Sequence, residues 1–447
     1  MKNIMQVVQS TQQAVLRRFR WWELVFLTFA AVTIVTAVVI LFLPFGKGPA
    51  LIKPNASVPA TGSPQFLALI SNVMTLPVEK AAAPVVLNNG DAFLKSLLAD
   101  IDSAKSSIDF MVYIWDDGKF SDIVLDHLQR RLKAGVQVRV ALDAYGAVTA
   151  PSRKFDEFRK AGGRVATFHS LMPLPWAMTR DHKRNHRRAI VIDGRIAYTG
   201  GIAVSDTWLG NARTPDEWRD VMFRVDGTMA AHLQGAFGEL WELATGELLA
   251  GDKFYPPVAP AQGEQVTFVP FASSPSPDLF AMENFVLLSL EGARKSIVIV
   301  SPYFLPDKTL RGVLEEKARA GLDVRVLVPN KLNDSRWVRY ASQNYYEELL
   351  RAGVRIDEYQ PTFIHTKLLI VDGQWSVIGS ANMDNRSRKL NDEVVFGIAD
   401  AKFARGLEDL VAGDEAHAAR ITLTQWQNRG IWQHALELIA LGSVQQY

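Results

Sequence analysis

The stretch HTKLLIVDGQWSVIGSAN, His365–Asn382, sets a histidine and a lysine at the head of an apolar run that ends in an Asp-Gly turn. HRRAIVIDGRIAYTGGIA, His186–Ala203, repeats the same eighteen-position pattern with a few letters changed. One copy would read as a core strand headed by a satisfied histidine. Two copies in a chain with only eight histidines call for a shared architecture. Working outward, AKSSIDFMVYIW (Ala104–Trp115) matches ARKSIVIVSPYF (Ala293–Phe304), and KAGVQVRVALD (Lys133–Asp143) matches RAGLDVRVLVP (Arg319–Pro329). KAGGRVATF (Lys160–Phe168) then matches RAGVRIDEY (Arg351–Tyr359), and each is followed by one of the histidine motifs. Any one of these could be a generic helix-to-strand junction with a glycine cap. Four matches in one order indicate duplication.

Helical and strand-like segments alternate from Val85 onward, which predicts an α/β fold with two mainly parallel sheets flanked by helices. The expected lobes are 86–262 and 263–420, with the Pro-rich Tyr255–Gly263 between them and a C-terminal amphipathic segment at 421–447. From Gly162 to His186 is 24 positions, against 12 from Gly353 to His365, so the first lobe carries an insertion before its motif. That insertion, HSLMPLPWAMTRDHKRN, mixes Leu171, Met172, Leu174, Trp176 and Met178 with Arg180, Lys183 and Arg184. It reads either as an ordinary surface loop or as a lipid-contacting lip with cations for headgroups.

The 447 residues, 48% hydrophobic and 21% charged, suffice for more than one core, and a net charge of +2 gives no support to bulk nucleic-acid binding. The absence of cysteine excludes thiol nucleophiles, disulfides and Cys-based metal sites. Leu24–Phe45 is an uncharged apolar run, which predicts a transmembrane anchor at 22–45 flanked by Trp21 and Trp22, since a bilayer core is about 30 Å thick. Lys2, Arg17, Arg18 and Arg20 precede it and only Lys47 and Lys53 follow closely. The expectation is therefore a cytoplasmic tail at 1–21, a single pass through a bacterial inner membrane, and a catalytic domain on the outer side. Residues 46–85, rich in Pro, Ala and Ser, read as a linker containing one short helix around Phe66–Met74.

Strand alternation puts His365 and Lys367 on one face and Asp372 on the other or in the turn; His186, Arg188 and Asp193 follow the same parity. A histidine beside a cation suits a phosphate, and Ser380 and Asn382 offer further donors past the turn. Two histidines allow one imidazole to attack phosphorus while the other protonates the leaving alkoxide, with no metal or other cofactor. Acidic residues follow each motif, so Asp220 (EWRDVMFRV) is the candidate for orienting His186 and Glu393 (LNDEVVFGI) for His365. The remaining histidines form no metal-binding spacing.

With these residues in view, the sequence resembles the phospholipase D superfamily, whose signature HxK-x4-D-x6-G-S-x-N is met in full by His365, Lys367, Asp372, Gly379, Ser380 and Asn382. It is most similar to the bacterial cardiolipin synthase branch, through SPYFLPDKTL, YQPTFIHTK, GSANMDNRSRKLNDE, WLGNA and DEWRD. The resemblance covers roughly residues 85 to 440 and implies a bilobal fold with a pseudo-twofold site. It also implies a phosphohistidine intermediate on His186, with His365 as acid and base, and motif aspartates Asp193 and Asp372. The implied reaction moves a phosphatidyl group between two phosphatidylglycerol molecules at a membrane. Phospholipid or, less readily, nucleic-acid hydrolysis by the same chemistry is the alternative, and a weakly active lipid-binding protein a third. Arg188 replaces the first motif's lysine, and Gly201 and Ala203 stand where that motif has Ser and Asn.

Overall fold

The computed structural model describes residues 21–23, 25–35, 54–168, 183–258, 264–275 and 281–441. Met1–Pro49 and Ala50–Tyr447 are separate compact units. In the first, residues 25–35 are helical. Among the described residues no helix is long and apolar enough to cross a membrane. This overturns the single-pass anchor at 22–45, and with it the inner-membrane placement and the outward-facing domain. A helix that spans a bilayer needs roughly 20 consecutive apolar residues. The rest of that run, the tail at 1–20 and most of the insertion (169–182) lie outside the described residues.

Among its described residues the second unit carries seventeen strands. In chain order they are β1 (Glu79–Ala82), β2 (Val85–Asn88), β3 (Ser107–Val112), β4 (Gln137–Asp143), β5 (Arg164–Phe168), β6 (Arg184–Asn185), β7 (Ala189–Ile192), β8 (Ile196–Gly200) and β9 (Val221–Asp226). β10 (Gln265–Ser273), β11 (Ser296–Val300), β12 (Asp323–Pro329), β13 (Arg355–Tyr359), β14 (Leu368–Val371), β15 (Trp375–Gly379), β16 (Asn391–Ala399) and β17 (Ala418–Ile421) follow. One sheet has the order β2-β9-β8-β7-β3-β4-β5 and the other β1-β10-β16-β15-β14-β11-β12-β13-β17. The shared core β9-β8-β7-β3-β4-β5 and β16-β15-β14-β11-β12-β13 is the duplication made visible.

The sheets are mixed, not mainly parallel. Only β3–β4–β5 and β11–β12–β13 run parallel along these paths, each linked by a crossover helix. The motif strands return through Asp-Gly turns, and a tight hairpin can join only antiparallel neighbours, so β7–β8 and β14–β15 are antiparallel. β9 and β16 then close against them in the same sense.

The second half of the predicted linker is folded. Helix Pro64–Met74 starts on a Ser63 cap, and its buried Phe66 packs edge-on against Trp375. β1 extends the second sheet by pairing with β10. At the other end of the chain, Trp426 and Ala440 are buried while Ile431, Trp432 and Ile439 are exposed. The single apolar face expected across 426–440 is thus split between packing and solvent.

Candidate active site

Each histidine is positioned by the opposite half of the duplication. The short β6 pairs in parallel with the start of β16, and His186 N–H donates to Asp392 O at 3.0 Å. Symmetrically, Ile364 bridges Arg219 in parallel, and His365 N–H donates to Arg219 O at 2.7 Å. These backbone exchanges place each imidazole against the acidic residue of the other motif. His186 Nδ1 lies 2.7 Å from Glu393 Oε1, and His365 Nδ1 lies 2.7 Å from Asp220 Oδ2. The expected pairing within each half is therefore corrected to a crossed one. The acids sit one residue past the bridging carbonyls of Asp392 and Arg219, so the strand that crosses over carries its carboxylate with it.

Lys367 Nζ donates to His365 O at 2.9 Å and lies 3.1 and 3.2 Å from the ring nitrogens. Arg188 Nη1 donates to His186 O at 2.8 Å, while its Nε and Nη2 are buried without a hydrogen-bond partner. Lys367 and Arg188 thus both brace their own motif's backbone, and Arg188 keeps donor capacity in reserve. Both histidines and both cations are buried.

The motif aspartates do not join this cluster. Asp193 and Asp372 sit at the far ends of β7 and β14, in left-handed backbone at φ 53° and 57°. Asp372 accepts from the backbone N–H groups of Arg294, Lys295 and Ser296, and Asp193 from those of Lys105, Ser106 and Ser107. They staple the hairpin turn to the entry of β11 or β3, which corrects their inclusion among the catalytic candidates.

Ser380 is also reassigned. Its hydroxyl donates to Glu393 and accepts from Val394 N–H at 3.0 Å, so it fixes the carboxylate that faces His186 and is not free for phosphate. The first motif has no equivalent hydroxyl because Gly201 leaves room for the Asp220 carboxylate: a Cβ there would lie 2.2 Å from Asp220 Oδ1. Trp208 supplies the missing donor, its indole N–H reaching Asp220 Oδ2 at 3.0 Å. Sequence reasoning missed Trp208; the glycine in place of serine was the signal that another donor had to exist. Asn382 Oδ1 is buried without a partner, and its counterpart Ala203 is apolar and buried. Tyr113 packs edge-on against His186 at 5.0 Å between ring centroids, and Trp208, Trp218 and Tyr303 surround His365.

Electrostatics distinguish the two halves. Burial, then the charges of Arg188, Lys367 and Arg386, hold His186 well below the usual imidazole range. Burial and the Lys367 charge push His365 down to about 3 against the pull of Asp220. Burial lowers Lys367 to about 7. It also raises Glu393 to about 7, whereas at Asp220 the charge and hydrogen bond of His365, with Lys367, outweigh burial and hold the carboxyl below its usual value. Asp220 is the firmly ionised carboxylate; Glu393 is poised near neutrality. An imidazole pair flanked by buried cations suits an anion, since the incoming negative charge offsets the cation repulsion that adds to burial in keeping both rings neutral. No cluster of His, Asp and Glu suited to a metal occurs among the described residues.

Comparison with known proteins agrees with this arrangement. A family profile described as "Cardiolipin synthase, PLD-like domain" matches residues 97–241 and 286–414. Cardiolipin synthase 1 of Bacillus cereus is 33% identical over 367 residues, covering 81% of this chain and 72% of that protein. Cardiolipin synthase A of Pectobacterium carotovorum is 35% identical over 353 residues, covering 78% and 72%. Among solved structures, phosphatidylserine synthase of Haemophilus influenzae superposes with a TM-score of 0.66 at 13% identity, over 84% of this chain and 96% of that one, a likeness of fold. The twinned motifs and their crossed sites are thus those of a phosphatidyltransferase, and the chain belongs to the cardiolipin synthase family of the phospholipase D superfamily.

Proposed function

We propose that the chain makes cardiolipin from two phosphatidylglycerol molecules, with His186 as the nucleophile and His365 as the general acid and base. In the first half-reaction His186 Nε2 bonds to the donor phosphorus. The P–O bond to the headgroup glycerol breaks, and protonated His365 gives its proton to the departing alkoxide, releasing glycerol. In the second, neutral His365 takes the proton from a terminal headgroup hydroxyl of another phosphatidylglycerol. That oxygen attacks phosphorus, the P–N bond to His186 breaks, and the phosphodiester count is unchanged.

The observation that carries the assignment is the unequal pair of carboxylates. A general acid must hold a proton as phosphate binds, and the ionised Asp220 at 2.7 Å favours imidazolium at His365. A nucleophile must remain neutral. Glu393, raised to about 7, with Arg188, Lys367 and Arg386 nearby, favours that state at His186. Lys367, Arg188 and Asn382 are assigned to the phosphoryl oxygens, while Ser380 and Trp208 position the two carboxylates.

The test is product analysis of the full chain on phosphatidylglycerol vesicles, with glycerol release followed in a single turnover. The His365→Ala variant should accumulate a protein carrying a covalent phosphatidyl group, and His186→Ala should form none. Absence of cardiolipin from the wild type overturns the substrate assignment, and an adduct that survives in His186→Ala overturns the choice of nucleophile.

A further inference from the structure

The helix Ile431–Leu441 turns an apolar stripe toward solvent. Ile431 and Trp432 are 81% and 82% exposed, and Leu438 and Ile439 are 55% and 64% exposed. At 100° per residue these four, with Ala435, fall within an arc of about 120°. The opposite side is packed: Ala440 is buried with Leu305, Val338 and Ala341, against which Tyr303 also packs. Tyr303 in turn donates to Asp334 at 2.6 Å and meets His365 edge-on at 6.2 Å between centroids. A short chain of contacts therefore joins the exposed helix to the His365 side of the site.

Large apolar side chains recur around the mouth. Trp337, at the start of helix Arg336–Gln343, is exposed beyond the carboxyl end of β12. At the corresponding end of β4, Tyr145 and Val148 are exposed. That loop is tied to the His186 side by Asp143, which accepts from Asn185 N–H at 2.9 Å. In open α/β folds, ligands enter at the carboxyl ends of parallel strands, so both rims lie on the face where substrate arrives. Cations flank these side chains: Lys331 and Arg336 are exposed, and the buried Arg184 lies over the Tyr145 ring. The nearby acids are engaged, Asp334 by Tyr303, the buried Glu437 by Arg429, Asp116 by Thr149 and Asp117 by Lys154.

We propose that this face, formed by helix Ile431–Leu441 with Trp337, Tyr145 and Val148, docks on an anionic phospholipid surface and presents the site mouth to it. Apolar stripe, aromatic side chains and flanking cations together are the chemistry of interfacial lipid contact, and a phosphodiester-headgroup bilayer supplies the complementary charge. The inference rests on phospholipid being the substrate, which fixes why the mouth and the stripe share a face. It adds a surface through which the protein meets that substrate without requiring a membrane-spanning helix.

The chain has no cysteine, so single cysteines can be introduced into the full-length protein and labelled with a polarity-sensitive fluorophore. Trp432→Cys, Ile439→Cys and Trp337→Cys report the proposed face. Ala134→Cys, exposed at the entry to β4 and so at its opposite end, is the control. With phosphatidylglycerol vesicles the three labels shift to the blue, less so with phosphatidylcholine vesicles, and the control does not shift. No shift at 432 and 439, or an equal shift at 134, overturns the proposal. So does a blue-shifted label without vesicles, which assigns the face to a second copy when it fades on dilution and to the chain's own N-terminal segment when it does not. Because the labels report contact and not turnover, blue shifts without cardiolipin would refute the assigned reaction and leave the docking face standing. The paired variant Trp432→Glu/Ile439→Glu should bind these vesicles on the order of tenfold more weakly, with turnover of detergent-dispersed lipid unchanged.

Discussion

The crossed pairing makes a prediction that within-half pairing cannot share. Asp220 lies 2.7 Å from His365 Nδ1, so Asp220→Asn keeps the shape but removes the charge facing the imidazolium. Two bounds bracket the loss. A hydrogen bond to a charged group contributes about 1.5–3 kcal/mol. Unit charges at that 2.7 Å separation, in an effective dielectric of about 20, attract by about 6 kcal/mol. The turnover of Asp220→Asn should therefore fall by between about 10- and 10⁴-fold, with the larger loss expected where the imidazolium is most fully formed. The assay is a double-mutant cycle on single-turnover glycerol release, combining Asp220→Asn or Glu393→Gln with His186→Ala or His365→Ala. Asp220 should couple strongly to His365 and negligibly to His186, and Glu393 the reverse. Strong coupling of Asp220 to His186 with little to His365 would refute the crossed site and restore pairing within each half.

Further outcomes follow from the same geometry. Gly201→Ser, which regularises the first motif toward the second, should lower activity at least tenfold and reduce thermal stability, because its Cβ would meet Asp220 Oδ1 at 2.2 Å; a variant as active as wild type refutes this. Trp208→Phe should leave Asp220 with one fewer donor and displace the acidic limb of the pH–rate profile, whereas a purely structural indole would change melting temperature alone. Asp372→Asn should cost about 2–4 kcal/mol in chemical denaturation, since Asp372 accepts from three backbone N–H groups, while the folded fraction keeps its turnover. Glu393 carries a raised value, about 7 folded against 4.5, so between those limits the folded state binds more protons and stability falls as pH rises. Glu393→Gln removes that dependence and should gain up to about 3 kcal/mol relative to wild type at pH 8 but not at pH 4, despite its loss of activity; an equal effect at both pH values contradicts a carboxyl raised by burial.

The duplication was legible because it lies in local patterns. The four recurring segments became β3, β4, β5 and the motif hairpin in one half, and β11, β12, β13 and its counterpart in the other. Strand parity separated Asp372 from His365 and Lys367, as the structure bears out by placing it in the Asp-Gly turn. What escaped was everything decided between halves. Sequence proximity joins His186 to Asp220 and His365 to Glu393, because nothing in a linear pattern records that Arg219 pairs with Ile364 and Asn391 with Arg184. The parallel sheet was over-read for a related reason: alternating helices and strands signal crossovers, but the Asp-Gly hairpins that interrupt the alternation reverse the chain. The N-terminal apolar run has the hydropathy and length of a span, yet among the described residues no helix is long and apolar enough to cross a membrane.

The irregular first motif gains a physical reading from these contacts. Taken as a sequence, the loss of its serine and asparagine suggests a weakened half-site. In the fold, the serine of the regular motif donates to a carboxylate, and on the other side Trp208 performs that task from outside the motif. The two solutions differ in consequence. Ser380 both donates to Glu393 and accepts from Val394 N–H, leaving a carboxyl that burial can raise; at Asp220 the indole can only donate, and Val221 N–H donates as well at 2.8 Å. The charge and hydrogen bond of His365, then the Lys367 charge and the Val221 N–H, hold Asp220 below its usual value against burial, so the half that departs from the signature is the half whose carboxylate best supports an imidazolium. Asymmetry between two otherwise equivalent histidines is what a reaction needing one nucleophile and one acid requires. On the proposed division of labour, Gly201 in place of serine makes room for the Asp220 carboxylate and is no sign of decay.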